Sequence, residues 1–137
     1  MDGERVVVRI KTFQFREDDE DIIDKKYYGI VTEKNNSTYI NISEDKNMNG
    51  KTDIIKITED EVIILRRNEA VSNMRFKEGK IHRTEYKTDY NIFELVINTK
   101  SLEKKVKEDR IEINIDYMIS VQGFMEAENK VYIDIKR

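Results

Sequence analysis

Ile111-Glu112-Ile113-Asn114-Ile115-Asp116-Tyr117-Met118-Ile119-Ser120-Val121 carries an apolar side chain at every second position across eleven residues. Successive side chains of a strand point to opposite faces, so this stretch predicts a long strand with one dry side and one wet side. A helix would scatter the same six side chains around its circumference.

The rest of the chain repeats the two-residue period in weaker form. Glu4 to Phe15 puts Val6, Val8, Ile10 and Thr12 on one face, with Arg5, Arg9 and Lys11 on the other. Ile22 to Glu33 divides Tyr28 and Ile30 from Tyr27 and Val31. Thr38 to Glu44, Thr52 to Thr58, Val62 to Arg66, Ala70 to Phe76, Lys80 to Tyr86 and Phe93 to Thr99 follow. After the long strand a turn near Gln122-Gly123 leads to a last one, with Val131, Ile133 and Ile135 in phase. Ser101 to Arg110 breaks the pattern: Leu102 and Val106 sit four apart, which fits a single helical turn or a plain loop.

The segments between turns are short, and parallel neighbours would need crossovers of a dozen residues or more. Antiparallel hairpins are therefore expected. Ten strands in an open sheet would leave two unpaired edges, and closure removes both. The expected fold is all-β, a single antiparallel up-and-down barrel of about ten strands spanning residues 1–137 as one domain. A two-sheet sandwich is the alternative.

Composition agrees with a fold that gives one face of each strand to water. Of the 137 residues 38% are hydrophobic and 39% charged, and the net charge is −3. That balance argues against a general nucleic-acid binder. The absence of Cys removes disulfides and thiolate metal sites. The N-terminal residues lack a basic segment followed by an apolar run, and no stretch approaches the ~18 apolar residues of a spanning helix. A cytoplasmic protein without a membrane segment is the expectation.

Arg66-Arg67-Asn68-Glu69-Ala70-Val71-Ser72-Asn73-Met74-Arg75-Phe76-Lys77-Glu78-Gly79 and Tyr86-Lys87-Thr88-Asp89-Tyr90-Asn91-Ile92-Phe93-Glu94 precede Asn98-Thr99. Together with Lys51-Thr52 before Ile54-Ile55-Lys56-Ile57, they resemble the YwiB-like family of short bacterial β-barrels of unknown function. The resemblance covers essentially the full length and implies a calycin-like or lipocalin-like barrel. It brings no catalytic residues. Asn68 and Asn91 stand where the family looks to have Gly, and Asn is the best substitute for Gly in a left-handed backbone, so positive φ is expected at both.

Candidate chemistry is sparse. Asp45 to Asp53 has oxygen ligands at positions 1, 3, 5 and 9 of a calcium-type loop and Gly at 6, but Lys56 falls where a bidentate Glu belongs, so a hairpin turn is preferred. The acidic run Glu17 to Asp21 reads as a solvated turn before a cation site. His82 is the one histidine, and a solvent-facing role is expected for it. No metal, cofactor or nucleophile–base pair is called, and the chain is read as no enzyme.

The charge distribution is more informative. From Arg66 to Lys87 seven basic residues meet three acidic ones, so this stretch carries +4 and the remainder −7. Arg66 shares a face with Val62 and Ile64, and Arg75 shares one with Val71 and Asn73. Turned inward, Arg66 and Arg75 would offer guanidinium forks to a carboxylate or phosphate, with Tyr86, Thr88 and Tyr90 alongside. Cross-strand pairing of these arginines with Glu85, Glu94 or Glu112 is the competing reading. The function expected is a binding module for a small anionic or amphipathic ligand. The alternative is a filled barrel that binds another protein or its own copy, through Phe13, Tyr27, Tyr39 or Phe124.

Overall fold

The computed structural model describes residues 3–68, 70–122 and 125–137. They form ten strands and no helix: β1 (Glu4–Arg16), β2 (Asp19–Lys34), β3 (Ser37–Ser43), β4 (Asp53–Ile57), β5 (Glu61–Arg66), β6 (Ser72–Lys77), β7 (Ile81–Lys87), β8 (Ile92–Val106), β9 (Arg110–Val121) and β10 (Met125–Lys136). Glu69, Phe124 and the Gly123 turn position lie outside the described residues. Every pairing is antiparallel, in the order β6-β5-β4-β3-β2-β1-β10-β9-β8-β7. Each strand thus lies beside its neighbours in sequence, and the first pairs with the last. This is the up-and-down meander of a nearly closed barrel.

Closure is incomplete between β6 and β7. No ladder joins them, and one bridge holds the base of their hairpin, with Val71 and Lys87 exchanging both backbone hydrogen bonds at 2.9 Å. The tip follows β8 instead: the Gly79 N–H donates to the Thr99 carbonyl at 2.9 Å. Gly79 has φ +75°, the left-handed region that a residue without Cβ enters freely. The β2–β3 hairpin turns on Asn35 and Asn36, at φ 52° and 61°, the pair of left-handed residues that a two-residue type I′ loop requires. Asn68 and Asn91 are corrected here, since neither has positive φ. The Asn68 amide donates to Asp53 Oδ1 at 3.3 Å, and the Asn91 N–H donates to Thr88 Oγ1 at 3.0 Å. The side-chain hydrogen bond accounts for Asn68, whereas Asn91 takes part in its turn through its backbone N–H and carbonyl alone.

The stretch Ser101 to Arg110 is also corrected. β8 continues through it to Val106, past an irregularity between Thr99 and Ser101. Before this bulge the inward residues are Leu95, Ile97 and Thr99; after it Leu102 lies opposite Ile115 and Val106 opposite Ile111. One extra residue switches the phase. A spacing of four is even, so Leu102 and Val106 share a strand face as readily as a helix face. The acidic run is likewise mostly strand: Asp19 to Asp21 open β2, and the turn is confined to Glu17 and Asp18.

The inward faces define two halves. Val8, Ile40, Ile55, Val62, Ile97, Ile113 and Ile133 are fully buried and fill one end. Burying each such side chain is worth about 1.5–3 kcal/mol relative to exposure, so this end supplies most of the driving force. Gly29 belongs to it: a Cβ there would lie 2.9 Å from an Ile40 methyl and 3.0 Å from a Val6 methyl. The other end, where the β1–β2, β3–β4, β5–β6, β7–β8 and β9–β10 connections lie, is hollow.

Candidate functional site

The hollow end contains a cavity of about 860 Å³. Its floor is Tyr117, whose ring meets Phe76 edge-on at 4.7 Å between centroids. Ile42, Met74, Leu95, Ile119, Val121 and Met125 form apolar wall. Volume and lining fall in the range of small-molecule sites, which are largely apolar with a few convergent polar groups.

The polar groups are concentrated here. Among the described residues five polar or charged side chains are buried, and four of them (Ser43, Asp53, Ser72 and Asn129) line this cavity. Asn129 is 3% exposed; its Nδ2 donates to the Tyr117 hydroxyl oxygen at 3.0 Å, and its Oδ1 has no hydrogen-bond partner. The Tyr117 hydroxyl keeps its own proton available for donation. Burial raises the Tyr117 pKa above 10, opposed by the Asn129 hydrogen bond and by the positive charge of Arg66.

Six charged groups face the space, and they are not equally free. Lys25 pairs with Glu44 at 3.4 Å. Asp45 accepts the N–H groups of Asn47 at 2.9 Å and Asn49 at 3.3 Å, which ties the calcium-like stretch into a turn and occupies its first carboxylate. Asp53 accepts the Arg67 N–H at 2.7 Å as well as the Asn68 amide, and so anchors the β5–β6 connection. The carboxylates are thus committed. Arg66 and Lys51 have no ion-pair partner within 4.0 Å among the described residues, so the uncommitted charge of the cavity is positive.

Of the residues singled out in the sequence, Arg66 and Tyr86 line the cavity. Arg75 does not. On β6 the inward residues are Ser72, Met74 and Phe76, so Arg75 falls on the outer phase, where its Nε lies 3.4 Å from Glu61 Oε2. Thr88 and Tyr90 are also outside it: the Thr88 hydroxyl accepts N–H groups of Tyr90 and Asn91 in the β7–β8 turn, and Tyr90 is 92% exposed. The basic stretch is largely neutralised on the outer wall, by Lys77–Asp60, Arg83–Glu94 and Lys87–Glu85 contacts. His82 is half-buried, and its Nε2 lies 3.2 Å from the Asn73 carbonyl across the β6–β7 seam. Tyr27 is buried and lines the cavity, so it belongs to no outer patch.

Sequence reasoning missed Asp53, Ser72, Tyr117 and Asn129, although a signal for them exists. Each sits in phase with the apolar residues of its strand: Asp53 with Ile55 and Ile57, Ser72 with Met74 and Phe76, Asn129 with Val131 and Ile133. Polar residues in the buried phase, all at the same end of their strands, mark where a barrel is not filled by its own side chains.

The fold and cavity define a ten-stranded antiparallel barrel, packed at one end and open at the other. Residues 8–133 match the family described as a domain of unknown function, DUF1934, and the chain belongs to that family. It is 25% identical over 116 residues to the uncharacterized beta-barrel protein YwiB of Bacillus subtilis (strain 168), covering 85% of this chain and 82% of that protein. The crystal structure of the ywiB protein from Bacillus subtilis superposes with a TM-score of 0.83 at 24% identity, over 96% of this chain and 90% of that one. The YwiB-like resemblance and the barrel are thereby shown.

Proposed function

We propose that this protein is a non-enzymatic binding module that holds a small amphipathic, anionic ligand in the hollow end of the barrel. The observation that supports this reading is the 860 Å³ cavity itself, set beside an opposite end packed to zero exposure. Folding alone gives no reason to leave one half unfilled, since each unfilled volume forfeits dispersion contacts. The lining suits such a guest: apolar walls for its body, and an uncommitted Arg66 for its charge. The carboxylates that general acid–base chemistry would draw on are instead tied to Lys25, to turn N–H groups and to the Arg67 backbone.

In this reading the architecture works as a calycin-like or lipocalin-like cup. The outer wall carries cross-strand pairs such as Arg9–Asp24 and Arg110–Asp134, which suit water on all sides and a cytoplasmic setting. Nucleic acid is not the partner this reading supports, because four of the seven basic residues of the stretch, Arg75, Lys77, Arg83 and Lys87, already face carboxylates. Titration calorimetry with octanoate tests the proposal. Binding that weakens about tenfold in Arg66→Gln is expected, the loss appropriate to one charge-assisted contact. Undiminished binding in that variant removes the anionic ligand, and no heat at millimolar octanoate removes an amphipathic fatty guest. A homodimer is a separate matter, and sedimentation over a hundredfold concentration range decides it: Phe13 and Ile22, paired on the outer face of the β1–β2 hairpin, are where a second copy would dock.

A further inference from the structure

β2 is longer than the strand that covers it. Its pairing with β3 begins at Tyr28, opposite Ser43, so Asp19 to Tyr27 have β1 on one side and no strand on the other. Every residue from Asp19 to Lys26 is exposed, including Ile22 at 56% and Ile23 at 51%. The Val31 carbonyl accepts the Gly3 N–H on the β1 side, so odd-numbered residues of β2 direct their backbone groups to β1. The even-numbered Glu20, Ile22, Asp24 and Lys26 therefore turn theirs to the uncovered side, where no backbone group among the described residues bonds them. An exposed edge that carries apolar residues is a template for another strand. The open edges of β6 and β7 differ, because they are tied to each other at base and tip.

Charge selects the occupant of this edge. Asp19, Glu20 and Asp21 lie at one end of it and Lys25 and Lys26 at the other, so an antiparallel copy sets opposite charges together. The backbone phase admits only registers that pair even-numbered residues with even-numbered ones. A two-fold axis at Ile23 puts Glu20 opposite Lys26 and Ile22 opposite Asp24 as hydrogen-bonded pairs. Between them Asp21 falls opposite Lys25, and Ile23 opposite itself. An axis at Ile22 sets Glu20 against Asp24, and one at Asp24 sets that carboxylate against itself, both of which repel. We infer that the chain forms a two-fold dimer in which the β2 edges of two copies pair antiparallel about Ile23, continuing one sheet through both barrels. The Lys25–Glu44 and Arg16–Asp21 contacts, at 3.4 and 3.1 Å, are exposed ion pairs that exchange readily for pairs with the copy. Ile23 and Lys25 also line the cavity, so Ile23 of the second copy stands at its rim.

Disulfide trapping tests the register, and a chain without cysteine permits it with single substitutions. Opposed residues of a non-hydrogen-bonded pair have Cα atoms about 4.5 Å apart, within disulfide reach. Ile23→Cys is therefore expected to give a covalent dimer on mild oxidation. Ile22→Cys is expected to stay monomeric on a non-reducing gel, since its counterpart lies diagonally, about 7–8 Å away. Sedimentation velocity tests the charge pairing. Wild-type protein is expected to dimerise reversibly between micromolar and millimolar concentration. Lys26→Glu is expected to weaken the dimer about tenfold, because acidic side chains then face each other at both ends of the edge. Adding Glu20→Lys to that variant restores opposite charges across the edge and is expected to restore the dimer. A wild type that stays monomeric overturns the proposal. So does a dimer indifferent to Lys26→Glu, which would move the contact to the outer face around Phe13. Equal trapping of the two cysteine variants, or none in Ile23→Cys, overturns it as well.

Discussion

Gly29 shows how tightly single residues are specified in the packed half. A methyl added there would meet Ile40 and Val6 methyls at 2.9 and 3.0 Å, and both neighbours are β-branched and buried. They have little rotamer freedom with which to give way. Gly29→Ala is expected to lower stability by about 1–3 kcal/mol, the usual cost of overpacking, read from the urea midpoint. An unchanged midpoint would mean that this end is looser than described. Tyr117 adds a pH dependence. Burial holds its phenol protonated above the ordinary value of 10, so the folded chain keeps this proton at pH values where the unfolded chain has lost it. Stability from this group is therefore complete below about pH 10 and falls as pH rises toward the higher folded value. Tyr117→Phe should cost about 1 kcal/mol at pH 7, through the lost Asn129 hydrogen bond, and should flatten the decline between pH 10 and 12. Urea midpoints across that range check it, and an equally steep decline in the variant would contradict it. Arg66 was legible in the sequence because its phase with Val62 and Ile64 settles its side. Arg75 was not, because Val71, its apolar partner in phase, is itself exposed.

At the scale of elements, the strands were legible wherever one phase holds from end to end, as in β9 and β10. β8 was truncated because its phase changes midway, from Leu95, Ile97 and Thr99 to Leu102 and Val106. A bulge has no sequence mark as clear as alternation, and Lys100 carries none of the Gly or Pro punctuation that would announce one. The bulge also lets β8 reach past β7 to the β4–β5 turn, where Lys104 Nζ donates to the Thr58 carbonyl at 2.9 Å. Deleting Lys100 forces a choice between inverting Leu102 to Val106 and slipping the β8–β9 register. Leu102 and Lys104 are half-buried and Val106 is 65% exposed, so losing this phase together with the Lys104 contact to Thr58 is expected to lower stability by about 1–2 kcal/mol. A cooperative unfolding transition at the wild-type urea concentration would show the extra residue to be dispensable.

For the whole molecule, alternation and the avoidance of free edges lead directly to a meander barrel, because they depend only on period and loop length. Whether the barrel is filled depends on the sum of inward volumes around the ring. That sum requires register, which pairs Thr12 with Val131 and Ile64 with Met74 and is invisible along the chain. Once the register is known, the packed and hollow halves follow from which inward positions carry Ile and Val and which carry Ser, Asn, Asp and Arg. The claim that a guest enters this hollow end is tested most directly by methyl NMR during titration with octanoate. The account predicts saturable shifts at the methyls of Ile42, Leu95, Ile119 and Val121, with those of Val8, Ile113 and Ile133 unmoved. Shifts confined to the outer wall around Ile22, spread evenly through both halves, or absent altogether would contradict it.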